Sequence, residues 1–433
     1  MKTSIYILLL VFTVSVQAQE LVPLNKAEVL TKVSENNTTL KISVEEFNQA
    51  KADYRQTNAV FLPNITASHT AIATTNPLMA FGSKLNQGIL TQNDFNPALL
   101  NNPSQVENYA TKLEIQQPLI NLDGIYQRKA AKSKMKAMSL KTERMQDYLA
   151  FEVEKSYMQL QLAYKAVDVL EKALEAANAN KKLADDRFKQ GYLQRADVLN
   201  VEVRVTEVQN QLQMAKSNVQ NASNYLSFLM NDHTYVVYTP TDELRISTLT
   251  LEDKPVSENR SDIKAMELAS SAYEAMNKAD KMAFLPRLNA FGSYELYDDQ
   301  VFRGDASGYL FGAQLSWDIF QGSKRYGKVQ KSKAEFEQSK LEYDNYVSQS
   351  NLELNKAKRA FLDAENTLQL TSLALQQSEE SLRIRTNRFR EGLEKTSDLL
   401  IAETQYAQKQ LEYYQTIFEY NYAQAYLEFL TKE

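Results

Sequence analysis

The chain has 433 residues, 43% of them apolar, and a formal net charge of −5, with no basic patch interleaved with aromatics; this argues against a nucleic-acid surface. It has no Cys and only two His, His69 and His233, so it has no disulfide, thiolate metal site or Cys nucleophile, and no His pair at helical metal-binding spacing. Only 11 Gly and 9 Pro punctuate it, which favours long uninterrupted elements.

The first twenty residues, MKTSIYILLLVFTVSVQAQE, place Lys2 before an apolar run from Ile5 to Val16, then Val16-Gln17-Ala18. Small residues three and one before a cut after Ala18 mark residues 1–18 as an export signal. The apolar run is too short for a membrane helix, which needs about 20 residues. No later stretch is apolar enough, so an exported chain that enters a membrane must do so with strands.

The predicted elements then follow in order. A helix over about 25–58 precedes a weakly alternating strand at 62–72, with Ile65, Ala67 and Ala71 on one face. The Asn- and Pro-rich segment 74–108 has the composition of turns and irregular loops. It is either a lid or partner surface, or a solvated loop with no dedicated role. In a strand at 109–119, Tyr109, Leu113, Ile115 and Leu119 oppose Lys112, Glu114 and Gln116. A long helix over about 125–187 carries Val153, Leu160, Val167, Leu174 and Phe188 in a seven-residue series. Ala163, Leu170, Ala177 and Ala184 lie three residues behind that series. A hairpin, RFKQGYLQRADVL (187–199), leads into a return helix over about 196–230. Its apolar positions, Val198, Val201, Val205, Val208, Leu212, Ala215, Val219, Ala222, Leu226 and Leu229, step by three and four. That period makes helices supercoil with interdigitated side chains. Residues 232–255, with Pro240 and Pro255, form an irregular linker.

The pattern then repeats. Phe61-Leu62-Pro63-Asn64 recurs as Phe284-Leu285-Pro286-Arg287, LEIQQPLINLDG as QLSWDIFQG, and NYLSFL as AYLEFL. Strands at 284–297 and 309–320 alternate, the second with Tyr309, Phe311, Ala313, Leu315, Trp317 and Ile319 on one face; a short loop, about 298–307, joins them. Leu354, Phe361, Leu368, Leu375, Leu382 and Phe389 lead to a second hairpin, RFREGLEKTSDLL (388–400), 201 residues after the first. Two copies of this size indicate duplication, not a solenoid. The organisation is signal 1–18, first repeat 19–231, linker 232–255 and second repeat 256–433.

A long helix of this size spans roughly 95 Å at about 1.5 Å per residue, and the shorter helices roughly half of that. Two half-length helices stacked on one long helix suggest a rod about 100 Å long, with strands at one end and hairpins at the other. Strands of about ten residues are long enough to cross an outer membrane when tilted. Half-buried strands of a soluble sheet are the alternative; export, strand length and the aromatic ends favour the membrane reading. If they do enter lipid, four strands cannot close a barrel and open edges are costly there, so other chains must complete it.

At the hairpins, Gly191 and Gly392 suit the left-handed position that ends a helix. Arg187 and Arg388 complement the carbonyl end of their helices, and Asp197 and Asp398 the amide end of the next, where Thr396 or Ser397 is the expected cap. Phe188 and Phe389 end their series and are expected to plug the coiled coil. Tyr192-Leu193 and Leu393-Glu394 place large groups on an exposed turn.

With its signal, its two copies of helix–strand–strand–long helix–hairpin–helix, and R-F-x-x-G-x-x-x-x-x-D-[VL]-L at each hairpin, the chain resembles the TolC-like outer-membrane efflux proteins over about 24–431. The resemblance implies an α+β fold, internally duplicated. A long antiparallel coiled-coil helical barrel would join a four-stranded contribution to a transmembrane β-barrel, 12 strands as a homotrimer. It implies an exit duct in outer-membrane lipid with a periplasmic extension. Such a duct conducts substrates from a periplasmic adaptor and an inner-membrane pump of the RND, ABC or a similar class, in efflux or type I secretion. It assigns Gly191, Tyr192, Leu193, Gly392, Leu393 and Glu394 to adaptor docking, and Asp197, Asp398 and Glu394 to the pore constriction. The Arg that helps lock the pore in some relatives is Glu394 here, and the second Asp of some relatives is Ile401. A non-conducting surface coiled-coil adhesin or envelope tether is the alternative. No phosphate loop, nucleophile elbow or metal cluster points to an enzyme, a metal or a cofactor, and Glu152, Glu154 and Glu171 suit a solvated helix face with Lys partners.

Overall fold

A computed structural model describes residues 21–234, 236–247 and 254–433. The export signal lies outside them, as does part of the linker. The elements are β1 (Leu21–Leu24), α1 (Lys26–Asn36), α2 (Thr38–Gln56), β2 (Asn64–Thr74), α3 (Pro77–Asn86), α4 (Pro97–Asn101), β3 (Val106–Ile120), α5 (Leu122–Lys189), α6 (Arg195–Met230), β4 (Val237–Pro240), α7 (Ser261–Met282), β5 (Arg287–Asp298), β6 (Ala306–Ser316), α8 (Lys324–Arg390) and α9 (Thr396–Thr431). They form two compact units. One holds the chain up to Ile42, Glu143–Arg260 and Gln349–Glu433; the other holds Ser43–Thr142 and Ser261–Ser348.

In the first unit most of the spaced apolar positions are buried, with Val167 and Leu174 half-buried. Val153, Leu160, Leu170, Ala177 and Ala184 of α5 are buried, as are Val198, Val201, Val205, Val208, Leu212, Ala215, Val219, Leu226 and Leu229 of α6. Leu170 of α5 packs with Leu212 and Ala215 of α6, and Leu411 of α9 closes the group. Met158 of α5, Leu368 of α8 and Ile417 of α9 form a second contact. The largest cluster gathers Leu24, Val29, Val33, Val153, Tyr157, Leu160, Leu226 and Tyr238. Truncating a fully buried member such as Leu160 to Ala costs about 2–5 kcal/mol.

The linker is more ordered than its composition suggested. Within it, β4 pairs in parallel with β1, from Leu21↔Val237 to Leu24↔Pro240. The helix expected over 25–58 is two helices. Buried Asn37 separates them, donating Nδ2 to the Leu229 carbonyl at 2.8 Å and accepting the Leu40 amide on Oδ1 at 3.1 Å. One side chain thus ends α1, caps α2 and ties both to α6.

The second unit holds an antiparallel sheet in the order β2-β3-β5-β6, so β2 and β6 are its edges. Its register sorts the two faces. Ala67, Leu113 and Tyr294 share a row with Tyr309, and Ile65, Ile115 and Gly292 with Phe311. Tyr309 and Phe311 are each 77% exposed. On the opposite face Ser68, Lys112, Glu295 and Gly308 align. There Lys112 reaches Glu114 at 2.9 Å and Glu295 at 3.6 Å. One face is therefore apolar and bare, and the other charged.

β6 stops at Ser316, short of the expected 320. Ser316 pairs with Arg287, the first residue of β5, and Pro286 before it has no amide to extend the ladder. Trp317 instead donates Nε1 to the Phe284 carbonyl at 2.9 Å. In β3 the register shifts between Pro118 and Ile120 for the same reason. Arg287 also clamps buried Asp123 at the start of α5, with Nε–Oδ1 at 3.1 Å and Nη2–Oδ2 at 2.5 Å.

The segment 74–108 is not an irregular loop. It carries α3, a short 3-10 turn at Gln92–Phe95, and α4. Asn76 and Asn96, which suggested turns, cap the two helices by accepting the amides of Met79 and Ala98. Pro77 and Pro97 sit at first helical positions, where a missing amide costs nothing.

Candidate functional site: the two hairpin tips

Both tips close in the same way. In the first, the Gly191 amide donates to the Phe188 carbonyl at 3.0 Å and the Tyr192 amide to the Arg187 carbonyl at 2.9 Å. In the second, Gly392 donates to Phe389 at 3.0 Å and Leu393 to Arg388 at 2.9 Å. This paired closure requires a left-handed residue, and φ is +82° at Gly191 and +76° at Gly392. A Cβ at either glycine would meet nothing within 4 Å, so both face open space.

The returning helices start one residue earlier than expected. Lys395 precedes α9 as its cap residue, with no side-chain hydrogen bond, so neither Thr396 nor Ser397 caps it. Asp197 and Asp398 each occupy the third helical position, where a carboxylate meets the exposed amides. Asp197 Oδ2 accepts the Gln194 amide at 3.1 Å. Asp398 accepts the Ser397 hydroxyl at 3.4 Å.

The matched side chains do different work. Arg187 leaves its own hairpin and donates Nη2 to the carbonyls of Phe389 and Arg390, each at 2.9 Å, closing the end of α8. Its guanidinium lies 4.6 Å from the Phe389 ring centroid, a cation–π contact. Arg388 stays within its hairpin, with Nε 2.7 Å from Glu394 Oε2, while Arg385 Nη1 lies 2.9 Å from Oε1. The Arg388 hydrogen bond leads in holding the Glu394 carboxyl below the usual carboxylate range. The structure thus places Glu394 in an internal clamp, its side chain 11% exposed. Phe389 is 2% exposed and plugs its tip as expected. Phe188 is 40% exposed in the single chain and does not. Tyr192 is 78% exposed and Leu393 68%, whereas Leu193 is half-buried.

Arg385 was not singled out by sequence, because only Glu394 tells which arginine of α8 faces the turn. Further along the same helices, Glu403 of α9 is buried and accepts a hydrogen bond from Asn180 of α5, while its Oε2 has no partner. Burial pushes this carboxyl up to about 7, against the pull of Arg204 of α6. Its one sequence signal was a charge four residues after Leu399 on the buried stripe.

The outer membrane efflux protein family model matches residues 29–232 and 255–431. The chain belongs to that family. No curated protein matches the sequence significantly. Solved structures of outer-membrane channels and proteins share its fold. The CmeC outer membrane channel of Campylobacter jejuni superposes with a TM-score of 0.82 at 18% identity, covering 94% of this chain and 85% of that one. For the MtrE outer membrane channel of Neisseria gonorrhoeae, in its open state, the values are 0.78, 17%, 94% and 88%. For VceC of Vibrio cholerae they are 0.77, 17%, 94% and 95%.

This efflux channel is therefore an outer-membrane exit duct with a periplasmic helical extension, and the adhesin reading gives way. Its family is one of channel proteins rather than enzymes. The long antiparallel helices and the internal duplication are those of the family fold.

Proposed function

We propose that the channel acts as a homotrimer that receives substrates from a periplasmic adaptor and an inner-membrane pump. The observation that carries this reading is the four-stranded sheet with two open edges, β2 and β6, one apolar face and one charged face. Unpaired edge amides and carbonyls cost several kcal/mol each in lipid. Three copies give 12 strands, with the edges paired and the face of Lys112, Glu114 and Glu295 turned to the lumen. The purified channel is expected to run as a trimer by light scattering in detergent; a stable monomer would refute the assembly.

The tips are the adaptor site in this reading. Tyr192 and Leu393 project from rigid turns, and apolar groups held out on a fixed backbone suit packing against a partner's helices. Gly191 and Gly392 serve by leaving the approach open, with Leu193 and Glu394 shaping the turns behind them. Leu393→Glu tests this better than a change at Gly392, because position 392 needs a left-handed backbone. Loss of adaptor co-purification with an intact channel is expected; undiminished co-purification and export would remove the tip from the docking surface. Asp197 and Asp398 line the constriction beside it, with Glu394 held back by its arginines. Asp398→Asn is expected to weaken block of single-channel current by divalent cations. Unchanged block would leave Asp398 a helix-start residue alone.

A further inference from the structure

The segment between β2 and β3 is the part of the chain that export through the duct leaves without a task. It is a built unit. The Phe81 and Phe95 rings meet edge-on at 5.7 Å, and Lys84 Nζ lies 2.7 Å from Asp94 Oδ1. Asp94 Oδ2 accepts both the amide and the hydroxyl of Thr91 at 2.8 Å. Gln87 pins the unit to the strand ends, with Nε2 reaching the Glu107 carbonyl at 2.8 Å, Asn108 Oδ1 at 2.9 Å and the Asp298 carbonyl at 3.2 Å.

Its direction follows from strand parity. Val106 and Asn108 lie on the same face of β3 as Lys112 and Glu114, and both are buried where α3 packs on β3. α3 also reaches β6, the opposite edge of the sheet. The unit therefore leans over the charged face and leaves Leu78, Met79, Leu85, Ile89 and Leu99 exposed. Only the first strand pair carries such a unit; the connection from β5 to β6 is short.

We propose that this unit folds into the outer mouth of the lumen, where its exposed apolar side chains meet the same units of the neighbouring copies and form a second constriction. The inference rests on the reading of the charged face as the lumen wall. The occupant is a second copy because the unit springs from edge strand β2 and crosses to edge β6, the two edges that neighbouring copies must pair.

The chain has no Cys, so Leu78→Cys introduces its sole thiol. Oxidation of this variant in outer membranes, with copper phenanthroline, is expected to give disulfide-linked dimers, and an impermeant maleimide to label it poorly. Replacing residues 77–101 by a short Gly-Ser link is expected to raise single-channel conductance at least about twofold. Full labelling without cross-links, or a conductance unchanged by the deletion, overturns the proposal and leaves the unit free for an outside partner. A channel that conducts in neither form refutes the duct reading itself, which separates the two failures.

Discussion

Glu403 is a carboxyl that the folded channel holds in a proton-binding state. Its unfolded value is near 4.5 and its folded value about 7, so between these pH values the folded chain keeps a proton that the unfolded chain has lost. The contribution to stability is thus fully present below about pH 4.5, falls as pH rises through 7, and levels off above. The swing is of the order of 3 kcal/mol. Glu403→Gln keeps the shape and the acceptor for Asn180, and is expected to flatten the stability profile between pH 5 and 8, read by chemical denaturation. A variant that keeps the wild-type slope would place the titration elsewhere. Arg187 makes a second prediction. Arg187→Ala removes two hydrogen bonds from the end of α8 and is expected to cost about 1–3 kcal/mol there, seen as faster amide exchange at the second tip. Exchange unchanged from wild type would show that Arg187 does not hold that tip. The backbone of the tips was legible in the sequence because Gly at a helix end has one dominant use. The partners of Arg187 and Arg385 were not: Arg187 reaches the other hairpin, 201 residues on, and packing decides which arginine of α8 meets Glu394.

Among the elements, those set by period came through best. The three-and-four steps of Val198–Leu229 fixed the buried face of α6, and the two-residue alternation fixed which side of β5 is apolar. Misjudged features turned on single polar or imino residues. Asn37 split a helix, Pro286 and Pro118 ended or shifted ladders, and Asn-Pro pairs read as turns became helix starts. Each residue is locally ambiguous, and for Asn37 a tertiary partner, the Leu229 carbonyl, decides. The sole tryptophan offers a check on the membrane face. Trp317 follows β6 and is exposed beside Ile319 and Phe320. Such aromatics settle at the lipid–water boundary. Its fluorescence in vesicles is expected to be quenched by lipids brominated near the headgroup more than by those brominated deep in the chains. Quenching only by aqueous iodide would take this edge out of the membrane.

For the molecule as a whole, duplication was the most informative signal, because two hairpins with strands in matching places leave few folds to choose from. What the single chain leaves open is what its surfaces require. A sheet with a bare apolar face and two unpaired edges is incomplete in any solvent, and the helices bury one stripe each while Leu352, Leu362, Leu373 and Ile384 of α8 stay exposed. No seven-residue count could reveal what covers that second stripe. The central claim is that copies of this chain enclose a continuous conducting path. Purified channel added to one side of a planar lipid bilayer tests it directly. The account predicts discrete, long-lived conductance steps of uniform size, preferring cations and lowered in preference by Asp398→Asn. A folded oligomer that inserts into lipid yet yields no steps would contradict it.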